Sequence, residues 1–210
     1  MPSFGGCGFR LASAMLCACL LSAFAPTMAH AAGTGLIFVS NEKTNNLIVL
    51  DPKTLTVVKD IKVSRRPRDM HFNANRTLLY VACGDDDVID VIDVASLSVV
   101  KKIATGSSPE TFALDEARNR IYIANEESSS LSVIDLDQGV TIHEVPTGAE
   151  PEGVFVHEDG KSIYVTSEVG DLVHLIDPES GAVINDVVVG ARPRRFAAPA
   201  NGRDLWVTTE

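Results

Sequence analysis

The sequence has too little cysteine to cross-link itself. Of its 4 cysteines, Cys7, Cys17 and Cys19 all precede Ala32, so the rest of the chain keeps Cys83 alone and cannot close an internal disulfide. Cys83 reads as a small buried apolar residue rather than a nucleophile. The absence of Cys-x-x-Cys-His excludes covalent haem. Basic residues are also scarce: 18 Lys+Arg stand against 28 Asp+Glu. Arg10 is the only charge before Ala32, so a chain cleaved after Ala31 carries 17 against 28, a net −11. Neutralising a phosphate backbone needs a basic face, and this balance argues against nucleic acid as a partner. There is no Gly-x-Ser-x-Gly, and His71, His143, His157 and His174 occupy different phases of the chain's internal repeat, so no nucleophile and base stand ready-made. Helical periodicity is missing from the strand-like runs. With 45% apolar and 22% charged residues, the chain is nonetheless of globular composition, neither disordered nor collagen-like.

The amino terminus has the three parts of an export signal. Arg10 supplies the positive region, Leu11 to Ala25 is a charge-free, mainly apolar run, and Ala29-His30-Ala31 has the small-x-small form cut by signal peptidase. Residues 1–31 are therefore expected to be a cleavable signal peptide, with the mature protein in the periplasm. A membrane anchor fits less well, because the run is shorter than the ~20 residues a spanning helix needs and Pro26 breaks its continuation. No transmembrane segment is expected in the mature chain. Leu16-Cys17-Ala18-Cys19 loosely resembles a lipid-attachment box, which keeps a lipoprotein as the lesser alternative.

The strongest signal is an internal repeat. Pro67, Pro109, Pro151 and Pro193 recur at one constant step, and Asp51, Asp93, Asp135 and Asp177 keep the same step, as does the aromatic series Phe38, Tyr80, Tyr122, Tyr164 and Trp206. The period, about 42 residues, is that of a four-stranded propeller blade. Each unit holds four β-favouring runs, in the second unit Arg68 to Phe72, Leu78 to Ala82, Val88 to Asp93 and Val99 to Ala104. Asp159-Gly160 and Asn201-Gly202 read as tight hairpin turns, and Ser180-Gly181 precedes a fourth strand. Runs such as Val133-Ile134 and Val187-Val188-Val189 are apolar at adjacent positions, which requires sheets covered on both faces and hence stacked neighbours. The expected fold class is all-β, a β-propeller of four-stranded blades. The units divide as a partial blade at 36–64, blades at 65–106, 107–148 and 149–190, and a partial blade at 191–210.

Tyr80-Val81-Ala82-Cys83, Tyr122-Ile123-Ala124-Asn125 and Tyr164-Val165-Thr166-Ser167 resemble the Tyr-Val-Thr-Asn motif of YVTN-repeat propellers, a likeness covering Leu36 to Glu210. Within that group the chain looks most like exported propellers associated with pyrroloquinoline-quinone (PQQ)-dependent alcohol catabolism. The resemblance implies about seven blades, so this sequence is expected to form an incomplete arc of about four. A closed four-bladed ring is the alternative. One tryptophan and no tryptophan-bearing repeat set the chain apart from quinoprotein dehydrogenases.

Fold does not give function, so the site has to be sought in the loops. If the first strand of each blade lines the channel, the Pro loops and the ends of the Tyr-Val strands share one face. Two Pro loops are basic, and Arg66, Arg68, Arg192, Arg194 and Arg195, with Arg65, form a candidate anion-binding rim because guanidinium pairs with planar carboxylates. Reversing Arg68 and Arg194 is then expected to weaken binding and leave folding nearly unchanged. The competing reading pairs these arginines with Glu42, Glu126 and Glu168 in a structural charge network. Glu42, Glu126 and Glu168 are also candidate calcium ligands, by likeness to lactonase propellers. Asp85-Asp86-Asp87 reads as an acidic hairpin turn, and His71 on a channel strand is the histidine to mutate first. The leading expectation is an exported non-enzymatic scaffold that binds a periplasmic protein or a small anionic ligand, accessory to alcohol oxidation by the resemblance. A metal-dependent enzyme of lactonase type and a cell-envelope interaction protein are the alternatives.

Overall fold

The computed structural model describes residue 1 and residues 35–157, 159–199 and 204–210. The signal peptide apart from Met1, the lipid-box cysteines and the Asn201-Gly202 turn lie outside the described residues. The first sheet has three strands, β1 (Ile37–Asn41), β2 (Asn46–Leu50) and β3 (Val57–Lys62). Three four-stranded meanders come next. The second sheet is β4 (Pro67–Phe72), β5 (Leu78–Cys83), β6 (Val88–Asp93) and β7 (Ser98–Ala104). The third is β8 (Pro109–Asp115), β9 (Arg120–Asn125), β10 (Ser130–Asp135) and β11 (Thr141–Pro146). The fourth is β12 (Pro151–Val156), β13 (Ile163–Ser167), β14 (Leu172–Ile176) and β15 (Val183–Val188). A two-stranded sheet, β16 (Phe196–Ala197) and β17 (Trp206–Val207), completes the described residues. All pairings are antiparallel, and the four runs expected in the second unit agree with β4 to β7 to within one residue at either end.

The repeated columns have physical causes. Asp51, Asp93, Asp135 and Asp177 each turn a carboxylate oxygen onto backbone N–H groups of the next hairpin: Thr54 at 2.8 Å, Ser96 at 2.7 Å, Gln138 at 2.8 Å and Ser180 at 2.8 Å. These side chains organise the turn before each fourth strand. The residues before the repeat prolines, Arg66, Ser108, Glu150 and Arg192, all take left-handed φ between 50 and 61°. That turns the chain sharply from one blade into the next blade's innermost strand.

The blades hold together through alternation. Along β5, Leu79 and Val81 face back onto Leu47, Val49 and Ile61 of the first sheet, while Tyr80 and Ala82 face forward onto Phe112, Ile121 and Ile123 of the third. Tyr122, Leu131 and Val133 repeat the arrangement against Ile163, Val165 and Ile176. Both faces of a middle blade are therefore dry, which is why its strands need adjacent apolar residues. Each fully buried Val, Leu or Ile contributes roughly 1.5–3 kcal/mol relative to exposure. The end faces are wetter: Val39 is 39% exposed where its counterparts Val81 and Ile123 are 0% exposed, and Val187 is 46% exposed where Ile103 is 1% exposed. Strands β4, β8 and β12 adjoin one another in order, and β16 adjoins β12, so the first strand of each unit lines the inner wall.

Candidate functional site

A bulge builds the inner face. In β4, β8 and β12 the pairing slips between the proline and the residue three further on, Pro67/Met70, Pro109/Phe112 and Pro151/Val154. Each bulge adds one residue, so that two residues oppose one on the partner strand, and such a bulge re-aims side chains at a sheet edge. The first bulged column reads Arg68, Glu110, Glu152, with Arg194 after Pro193. The second reads Asp69, Thr111, Gly153, with Arg195.

The first column forms a charge belt across blades. The Arg68 guanidinium lies 2.5 Å from Glu110, and Arg194 Nη1 donates to Glu152 Oε1 at 2.8 Å. Arg66 donates through Nη2 to Glu110 at 2.8 Å and Glu126 at 3.4 Å, and through Nη1 to Ser108 at 3.0 Å. Glu42 sits 3.7 Å from both Arg66 and Arg68. On the far side Arg192 pairs with Glu168 and with Glu210 at 2.8 Å, while Arg194 reaches Glu168 and Glu210, each at 3.0 Å. Arg65 closes on the acidic turn, its Nε 2.7 Å from Asp86. Four of the five rim arginines are thus engaged by carboxylates of the same or an adjacent blade. The geometry matches the competing structural reading at Arg66, Arg68, Arg192 and Arg194.

The side chain of Glu110 is 0% exposed. Burial, with the hydrogen bond to Glu126 and the charge of Glu152, outweighs the two arginines and pushes its carboxyl up to about 8. Burial likewise raises Glu152 against the pull of Arg194. Burial opposes ionisation of Glu126 too, but Glu110, Ser108 and Arg66 bond to its charged form and hold it below the usual carboxylate range. Glu110 therefore keeps its proton into a pH range where Glu126 is ionised.

The calcium candidates are held apart. Glu42 and Glu126 lie on the Arg66 side and Glu168 on the Arg194 side, each facing guanidinium. Among the described residues no three His, Cys, Asp or Glu side chains gather as a ligand set. The thiol of Cys83 is buried and pushed up to about 12 by desolvation, as befits an inert core residue.

Arg195 differs from the other rim arginines. Its N–H donates to Thr208 Oγ1 at 3.1 Å and its carbonyl accepts from the Thr208 N–H at 2.9 Å, so the backbone is fixed. Among the described residues its guanidinium makes no salt bridge; it acts at longer range on Asp69 and Glu152. It lines a cavity of about 520 Å³ on the inner strands, together with Asp69, His71, Phe112, Phe155 and Phe196. His71 is on β4 as expected, half-exposed, 2.9 Å from Asp69 and edge-on to Phe112 with ring centroids 4.9 Å apart. Sequence reasoning passed over Asp69 and the phenylalanines. The signal was available in the column two residues after each proline, where Asp, Thr, Gly and Arg share no chemistry.

Residues 32–198 match the model of the YncE-like β-propellers. The chain belongs to that family. This is the propeller expected from the repeat, under a family description other than the YVTN resemblance. No curated protein matches the chain in sequence. Among solved structures, hydrazine synthase of Kuenenia stuttgartiensis is 22% identical with a TM-score of 0.75, over 82% of this chain and 52% of that one. A functionally unknown protein of Desulfotomaculum acetoxidans is 16% identical with a TM-score of 0.72, over 84% and 60%. A chain of a mitotic checkpoint complex is 15% identical with a TM-score of 0.70, over 83% and 55%. The YncE-like chain thus spans little more than half of each, and these likenesses show the fold.

Proposed function

We propose that this propeller is a non-enzymatic binding scaffold whose inner wall takes a small anionic ligand or the acidic side chain of a partner protein. The observation that carries the reading is Arg195, a guanidinium with a fixed backbone and no salt bridge among the described residues, facing a cavity of about 520 Å³. That volume is in the range of small-molecule sites, which run from about 300 to 1,000 Å³. The other rim arginines are already bonded to carboxyl groups, so a ligand there would have to compete with those bonds. The reading therefore narrows the five-arginine rim to Arg195.

Export to the periplasm is part of the proposal and rests on the three-part leader; amino-terminal sequencing of secreted protein beginning at Ala32 supports it, and intact Met1 in the cytoplasm overturns it. The link to PQQ-dependent alcohol oxidation rests on the sequence resemblance, and co-purification with a periplasmic dehydrogenase is its test. For the anion site, calorimetric titration with 3-phenylpropionate is expected to give saturable binding that Arg195→Gln weakens about tenfold or more, the value of a charge-assisted bond. Binding unchanged in Arg195→Gln, or no binding by the wild type, overturns the reading.

A further inference from the structure

Two opposite charges line the inner cavity without bonding to each other. Asp69 lies in the bulge of β4 and Arg195 at the start of the last sheet; they border both the 520 Å³ cavity and a second hollow of about 300 Å³ beside Glu42 and Arg68. The Arg195 charge acts on Asp69, yet among the described residues the two form no salt bridge. Burial disfavours the Asp69 carboxylate, but the His71 hydrogen bond, the His71 charge, the Phe112 N–H and the Arg195 charge outweigh it, so the group stays ionised at neutral pH. Both of its hydrogen bonds fall on one oxygen: His71 Nε2 lies 2.9 Å and the Phe112 nitrogen 3.4 Å from Oδ2. Among the described residues Oδ1 accepts none, and the side chain is a quarter exposed.

The neighbouring wall is apolar. Phe155 and Phe196 are half-buried, their ring centroids 6.3 Å apart at 50°, and Tyr164 packs behind both. Nothing in the blade repeat demands this arrangement, since the columns of Asp69 and Arg195 hold Thr111 and Gly153 in the intervening units. An anion alone would satisfy Arg195 and leave Asp69 facing like charge. A cation alone would do the reverse.

We propose that the cavity binds a small aromatic zwitterion of the amino-acid kind, with its carboxylate on Arg195, its ammonium on Asp69 Oδ1 and its ring against Phe155 and Phe196. The proposal rests on the anion-site reading above and adds the ammonium and the ring to it. Carboxylate to guanidinium and ammonium to carboxylate are the charge-assisted bonds each end lacks, and the half-buried rings supply edge and face contacts for an aromatic body.

The test is a calorimetric comparison of L-phenylalanine, 3-phenylpropionate and 2-phenylethylamine on the wild-type chain, which share the ring and differ in their charges. The amino acid is expected to bind about tenfold or more tightly than either single-charge analogue. Asp69→Asn should bring L-phenylalanine down to the level of 3-phenylpropionate, and Arg195→Gln down to that of the amine, with circular dichroism confirming the fold of each. Equal binding of L-phenylalanine and 3-phenylpropionate by the wild type overturns the zwitterion while leaving the anion site standing. Binding of the amine as tight as the amino acid, or no binding of any of the three, overturns both. The wild-type series decides the matter even if a variant fails to fold.

Discussion

A carboxyl sealed from water keeps its proton or finds a cation, and Glu110 does both. Arg66, Arg68, Glu126 and Glu152 are the charged groups that face it, and its carboxyl titrates near 8 rather than near 4.5. Between these values the native state holds a proton that the unfolded chain has released. Stability therefore falls as pH rises from about 4.5 to 8, by at most about 1.4 kcal/mol per pH unit from this group, and levels off above. Glu152, also raised, acts in the same direction. Glu126, lowered, adds stability that is lost only as pH falls below about 4.5, outside this window. Urea midpoints taken from pH 5 to 8 should decline for the wild type and decline less steeply for Glu110→Gln; identical slopes would place the titrating group elsewhere. The same burial revises the expected tolerance of charge reversal. Arg68→Glu with Arg194→Glu sets new carboxylates against Glu110 and Glu152, and breaking a buried pair costs about 3–5 kcal/mol. The double variant should melt well below the wild type, and an unchanged melting temperature would make the belt ornamental.

Among the strands and turns, order and pairing were legible in the sequence because one cause recurs in every unit. Asp93 and Asp177 announce the hairpin that their carboxylates organise, and the alternation of Leu79 with Tyr80 announces a sheet buried on both faces. The bulges after Pro67, Pro109 and Pro151 were not legible, since they depend on how β4, β8 and β12 pair with their neighbours rather than on residue type. The sequence therefore left the arginines open between a binding rim and a charge network, and did not point to Glu110 and Glu152, onto which the bulge turns Arg68 and Arg194. His174, whose column holds Ile48, Asp90 and Ser132 in the other units, is buried, accepts from the Gly148 N–H at 3.0 Å and pairs with Asp186 at 2.6 Å. Its polar counterparts hydrogen-bond too, Asp90 with the Ser64 N–H of the preceding unit and Ser132 with Glu144 of its own, so the column varies in residue type while keeping a structural task. Gly153 shows the bulge's demand most sharply: a Cβ there would lie 2.2 Å from the Arg194 carbonyl oxygen of the next unit. Backbone cannot swing aside as a side chain can, so Gly153→Ala should cost about 1–3 kcal/mol, read as a lower urea midpoint. Wild-type stability in that variant would show that β12 and the Arg194 segment do not approach as described.

Across the molecule, repetition makes the wall and departure from repetition makes the site. Blade faces mate through the same columns each time, which fixes β4, β8, β12 and β16 side by side along one wall. On that wall Asp69, His71, Phe155 and Arg195 surround the cavity, whereas Arg66, Arg68, Arg192 and Arg194, which vary between units as much, are bonded to carboxyl groups of their own or neighbouring units. In the proposed division one arginine serves the ligand and four serve the fold. A crystal structure of the chain soaked with 3-phenylpropionate would show the two roles side by side. Ligand density is expected in the inner cavity, with the carboxylate on the Arg195 guanidinium and the ring against Phe155 and Phe196, and every belt ion pair intact. Density on Arg66 and Arg68 or on Arg192 and Arg194 with their carboxylates displaced, or an empty cavity at saturating ligand, would contradict that division.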